Sequence, residues 1–176
     1  MFRSVESALS WAFQNHSIAI VKTPGINRMY GKRNPGTLND VLAGLNQIDR
    51  SMQAANIVGA VYALDDVSHR EYICAVYGYE RSDEQIRSLM IRAMGVMGTG
   101  THRRRGVRDI LLNYLGANIG QRQIRDDLQC NRNDVYIYRN RIFEMLDKVR
   151  AGALNELHHV FVQKGLVDDD KKVARV

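Results

Sequence analysis

Arg132, Asn133 and Asn140 lie close together and carry side chains suited to reading the edges of nucleic-acid bases. A guanidinium can bond both acceptors on the major-groove edge of guanine, and an asparagine amide can bond the donor and acceptor of adenine. Gln121, Arg122, Gln123, Arg125, Arg139 and Arg141 surround them and suit phosphate oxygens, which position a protein on DNA without specifying sequence. On a helix starting at Asn131, that residue and Arg132, Asn133, Tyr136, Ile137 and Asn140 would share the surface turned away from the core and toward DNA. Arg103-Arg104-Arg105 adds a basic cluster upstream that could reach phosphates beside such a helix. The competing reading is that these arginines are solvated and only keep a basic surface soluble.

That surface needs two helices crossing over a shared core, held by a few buried contacts at fixed spacing. Counting Gln121 as first, a helix-turn-helix wants apolar side chains at the fourth, eighth, tenth, fifteenth and eighteenth places. The chain supplies Ile124, Leu128, Cys130, Val135 and Tyr138. Ile124 and Leu128 are four apart and so share one helix face. Ile142, Met145 and Val149 continue the inner face of the second helix, Asn131 is placed to cap it, and Asp134 follows where a capping-box acid belongs. Two places depart from the pattern: Arg125 stands where a small residue is usual, and Gln129 where glycine often makes the turn. A plain helical hairpin is the alternative to a helix-turn-helix.

The charge distribution points to the same segment. Residues 1–101 carry ten Lys/Arg against nine Asp/Glu, residues 102–150 carry eleven against six, and the last 26 residues carry four of each. A localised basic excess is the electrostatic footprint of a nucleic-acid surface. Hydrophobic residues make up 45% of the 176, enough for a core, which argues against disorder of the whole chain. The uncharged stretch Ser51–Leu64 is too short to cross a bilayer of ~30 Å as a helix, and the N-terminal residues lack a signal-peptide layout. Cys74 and Cys130 are the only cysteines and form no close pair, which suits reduced thiols in a cytosolic protein.

Helical spacing recurs along the rest of the chain. Val5, Ala8, Leu9, Ala12 and Phe13, flanked by Trp11, predict a helix capped by Ser4. Lys22 to Thr37 holds both prolines and a run of basic residues and reads as a loop or arm. A long helix is expected from about Asp40 to Leu64, capped by Thr37 or Asn39, with Val41, Leu42, Leu45, Ile48, Met52, Ala55 and Val58 on one face. His69 to Tyr79 gives another periodic run through Tyr72, Ile73, Val76 and Tyr77, ending at Gly78. Ser82 opens a helix with Asp83 and Glu84 in its first turn and a stripe of Ile86, Leu89, Met90, Ala93, Met94 and Met97. Gly98, Gly100 and Gly106 bracket the arginine cluster as a junction, and the last helix runs to about Gly152 or beyond before a charged tail expected to fray. The class is all-α, with a helical body at 1–101 that includes the basic loop 22–37, a helix-turn-helix module at 102–152, and a helix end and tail at 153–176.

Other chemistries fail on spacing. Gly25 and Gly31-Lys32 suggest a phosphate-binding loop, but the gap is one residue too long and Arg33 stands where Ser or Thr belongs. Asp65, Asp66, His69 and Glu71 match no metal cage, and His158-His159 would leave a helix about 100° apart. No nucleophile context is present. The expectation is a non-enzyme with no catalytic residues, no metal and no cofactor.

Ile110-Leu111-Leu112-Asn113-Tyr114-Leu115, then Gly120 to Ile124, then Leu128 to Asn131 and Val135, resemble the DNA-reading end of sigma factors. Small phage transcription antitermination proteins of the Q type are similar to this arrangement in size, basicity and helical layout, and His69 to Gly78 is similar to the same group. The detailed resemblance covers residues 107–150; elsewhere only the layout matches. It implies a protein of the bacterial host cytoplasm that binds double-stranded DNA near a phage late promoter through residues 121–140. It would then join a paused RNA polymerase, with its sigma factor, and travel with it past terminators. The N-terminal body would contact polymerase, and Lys22 to Arg33 would line an RNA path. The rivals are a phage DNA-packaging small subunit or an ordinary repressor, and a helical interaction module that touches no nucleic acid.

Overall fold

The computed structural model describes residues 2–21, 47–78, 81–97 and 103–168. The basic loop or arm expected at 22–37, the beginning of the helix expected from Asp40, Gly98, Gly100 and the residues beyond Asp168 lie outside them. All named elements are α-helices: α1 (Val5–Val21), α2 (Gln47–Tyr62), α3 (Val67–Tyr77), α4 (Asp83–Met97), α5 (Arg104–Tyr114), α6 (Gln121–Leu128) and α7 (Arg132–Gln163). The protein is all-α, as the spacing predicts. Among the described residues no helix is long and apolar enough to cross a membrane.

The chain divides into two compact units, residues 1–63 with 154–176, and residues 64–153. The sequence suggested boundaries after residues 101 and 152. What it could not show is that α4, read as part of the N-terminal body, packs on α5, and that α3 packs on α4.

In the first unit α1 packs on α2. Ser4 caps α1 reciprocally with Ser7, each backbone N–H donating to the other's Oγ at 3.1 and 3.2 Å. Val5, Ala8, Leu9, Trp11 and Ala12 are buried, and the Phe2 ring lies 5.3 Å from that of Trp11. On α2 the buried stripe is Ala54, Ile57, Val58 and Val61. The expected face is corrected here: Ile48 is 70% and Met52 61% exposed, and Ala55 is exposed too. Ile48, Met52 and Ala55 lie on a different side of the helix from Ala54, Ile57 and Val61, while Val58 is buried as expected. The last helix ends at Gly165 (φ 65°), where Gly165 N–H donates to Val162 and Leu166 N–H to Phe161. Glycine adopts this left-handed conformation without steric cost. Leu166 then accepts a hydrogen bond from Phe2 N–H at 2.7 Å.

The second unit is built from α3 to α6 and the first part of α7. Asp66 caps α3 by accepting from Ser68 N–H at 2.7 Å, and the Ser68 hydroxyl, together with that backbone bond, holds its carboxyl below the usual carboxylate range. Ser82 and Gln85 form a capping box on α4 at 3.1 and 3.2 Å, leaving Ile86, Leu89, Ala93 and Met97 buried. Arg81 ties two segments together, donating from Nε to the Ala75 carbonyl at 3.0 Å and from Nη2 to the Leu115 carbonyl at 2.5 Å. Tyr72, Ile73, Cys74 and Ala75 are all buried on α3, while Val76 is 38% exposed.

Candidate nucleic-acid interface

The loop that delivers α6 is fixed at both ends. After α5, Gly116 takes a positive φ of 93°, and Asn113 Nδ2 donates to the carbonyls of Ala117 and Ile119 at 3.4 and 3.2 Å. Helix α6 packs directly on α5. They approach closely at Gly106 and Leu128, where a Cβ on Gly106 would lie 2.3 Å from Leu128 Cγ and 2.9 Å from its backbone nitrogen. Gly106, read from sequence as part of a junction, is therefore a buried helical position that admits only hydrogen. It does the work expected of a small residue at position 125, and Arg125 points outward instead.

The turn between α6 and α7 also forms without its expected glycine. Gln129 adopts the left-handed conformation itself (φ 50°, ψ 48°), and the N–H groups of Gln129 and Cys130 donate to Asp126 and Arg125. Asn131 Oδ1 then accepts from Asp134 N–H at 2.8 Å, capping α7 as its sequence position predicts. Ile124, Leu128, Val135, Ile142, Met145 and Val149 are buried, whereas Cys130 and Tyr138 are half-buried. Burial raises the Cys130 thiol above its ordinary range.

On α7 the polar residues separate from this core by helical geometry. At about 100° per residue, Asn133, Ile137 and Asn140 fall within roughly 60° of one another and nearly opposite Val135, Ile142 and Val149. All three are exposed, as are Arg132 and Tyr136. Among the described residues, no hydrogen bond or ion pair engages the side chains of Arg132, Asn133, Asn140 or Arg141. Arg132 and Arg141 stand roughly a quarter turn to either side of the central row.

The remaining arginines are held to different degrees. Arg139 is half-buried, its guanidinium 4.9 Å from the Phe143 ring centroid. Arg122 and Arg125 converge on Asp126 at 4.0 and 3.0 Å, so part of the α6 charge is answered within the helix. Arg104 and Arg105 are exposed on the first turn of α5. Arg103 turns inward, donating from Nη1 to Tyr138 Oη at 2.8 Å with its guanidinium 5.7 Å from the same ring. It thereby bridges the start of α5 to α7. Gln121 is exposed, and Gln123 points back to Asp109 Oδ2 at 3.5 Å.

Asp109, the acceptor of that contact, carries no signal in the local sequence pattern. Asp109 is only 9% exposed, and burial together with the neighbouring Asp127 carboxyl pushes its own carboxyl up to about 6. The features expected of a metal centre are absent among the described residues, where no group of three potential ligands comes together. Asp66 is a helix cap paired with Arg92 at 3.5 Å. No protein family, curated protein or solved structure matches this chain.

Proposed function

We propose that the chain is a DNA-binding transcription regulator that lays the first three turns of α7 in the major groove of double-stranded DNA. The observation that carries this reading is the row Asn133, Ile137 and Asn140. It is exposed, lies nearly opposite the buried face, and is flanked by Arg132 and Arg141, whose side chains have no partner within the described protein. Arg104, Arg105, Arg122 and Arg139 supply phosphate contacts around it. Arg103 serves as a positioning residue, because its guanidinium is committed to Tyr138.

The finer reading is late-gene antitermination: the protein binds promoter-proximal DNA and joins RNA polymerase. It is supported by the sequence resemblance of residues 107–150 to sigma-factor and Q-type segments. Binding is tested by anisotropy titrations of a labelled duplex at several salt concentrations. Neutralising four or five phosphates gives log affinity against log salt a slope of about −4. Absence of binding at low salt would leave a helical interaction module as the better account. Co-sedimentation with RNA polymerase separates antitermination from a packaging subunit, which would instead assemble into a ring of many copies.

A further inference from the structure

We infer that α7 selects A·T base pairs, with Ile137 seated against the C5-methyl group of thymine and Asn133 and Asn140 bonding adenine on either side. This rests on the reading of α7 as the groove-entering helix and adds its base preference.

Ile137 is 47% exposed in the middle of the polar row, one turn from Asn133 and one from Asn140. A half-bared aliphatic side chain among amides has few chemical matches in duplex DNA. The major-groove edges are donors and acceptors except at thymine, which presents a methyl group. The flanking residues agree in type, since an asparagine amide matches the N7 acceptor and N6 donor of adenine as a pair. The distance agrees as well: seven residues at about 1.5 Å span roughly 10 Å, or about three base-pair steps of 3.4 Å. Glu144 marks the end of the reading surface. It is exposed, extends the same row by one turn, and puts a carboxylate where further approach to phosphates is repelled.

The test removes the methyl group and nothing else. The full-length chain is used to enrich bound sequences from a pool of duplexes with a randomised core. The enriched duplex is then remade with deoxyuridine in place of thymidine, which keeps every hydrogen-bonding group. Loss of one buried methyl weakens binding by about fourfold per contacted thymine. Ile137→Ala should bind the thymidine and deoxyuridine duplexes equally well. Unchanged helicity by circular dichroism shows that this exposed substitution leaves the fold intact. Enrichment of G·C pairs alone, or equal affinity of the parent protein for both duplexes, overturns the inference while leaving DNA binding standing. So does methyl sensitivity that persists in Ile137→Ala. If no duplex of the pool is retained even at low salt, the DNA reading itself falls, and the base preference with it.

Discussion

Gly106 of α5 and Leu128 of α6 approach so closely that a methyl group on the glycine would meet the branched carbon of the leucine at 2.3 Å and its backbone nitrogen at 2.9 Å. Neither atom is the far end of a mobile side chain, so the helices themselves must separate to admit it. Ala normally gains about 1 kcal/mol over Gly inside a helix. Here an overpacking cost at the upper end of roughly 1–3 kcal/mol should exceed that gain, and Gly106→Ala should destabilise the protein by a net of about 1–2 kcal/mol. Urea denaturation measures it; an unchanged or raised midpoint would show that α5 and α6 are less tightly apposed than described.

Gln129 makes the opposite prediction. A residue with a Cβ in the left-handed region carries a cost of roughly 1–2 kcal/mol that glycine avoids, and its side chain is exposed. Part of the gain is lost to the greater freedom of glycine in the unfolded chain. Gln129→Gly should therefore raise stability by about 0.5–1 kcal/mol in the same urea assay and leave DNA affinity unchanged.

Asp109 links stability to pH. Its carboxyl is pushed up to about 6 by burial and by Asp127, whereas an unfolded aspartate titrates near 4. Between these values the unfolded chain releases a proton that the folded protein retains, so stability falls as pH rises from about 4 to about 6 and levels off above. Asp109→Asn removes this fall and should be more stable than the parent at pH 7 by on the order of 1–3 kcal/mol. Near pH 4 the two proteins should converge. Equal stability at pH 7 would mean that the carboxyl ionises freely in the folded state.

Arg132→Ala tests the chemistry of the groove surface. Because Arg132 is exposed and engaged by nothing in the described protein, its removal should spare the fold. Specific binding should weaken by roughly 1–3 kcal/mol, with a smaller loss on random duplex. An equal loss on both would assign Arg132 to phosphate alone. Ile124→Asp is the structural counterpart: it places an unpaired charge in a site only 3% exposed and should unfold the second unit.

Local periodicity made much of this fold legible. Ile124, Leu128, Val135, Ile142, Met145 and Val149 are buried as their spacing predicts, and Ser82 and Asn131 cap the helices they precede. Both signals lie within a few residues of chain, where side-chain direction follows from helical geometry. What escaped the sequence depends on partners remote in the chain. Gly106 resembles loop punctuation until Leu128 is placed beside it, and Arg103 reads as a free cation until Tyr138 is seen to hold it. Ile48 and Met52 misled because either side of α2 offers an apolar row, and only the approach of α1 decides between them. The outward row of α7 was legible from spacing, but the inward tilt of Gln123 toward Asp109 was not.

Trp11 is the sole tryptophan of the chain, and it sits 6% exposed against Phe2 in the unit formed by residues 1–63 and 154–176. Its emission consequently reports the surroundings of Trp11 within that unit. Following fluorescence and far-ultraviolet ellipticity through the same denaturant series would reveal whether the halves melt in concert. Two displaced curves would mean that any single quoted stability is an average over separate transitions.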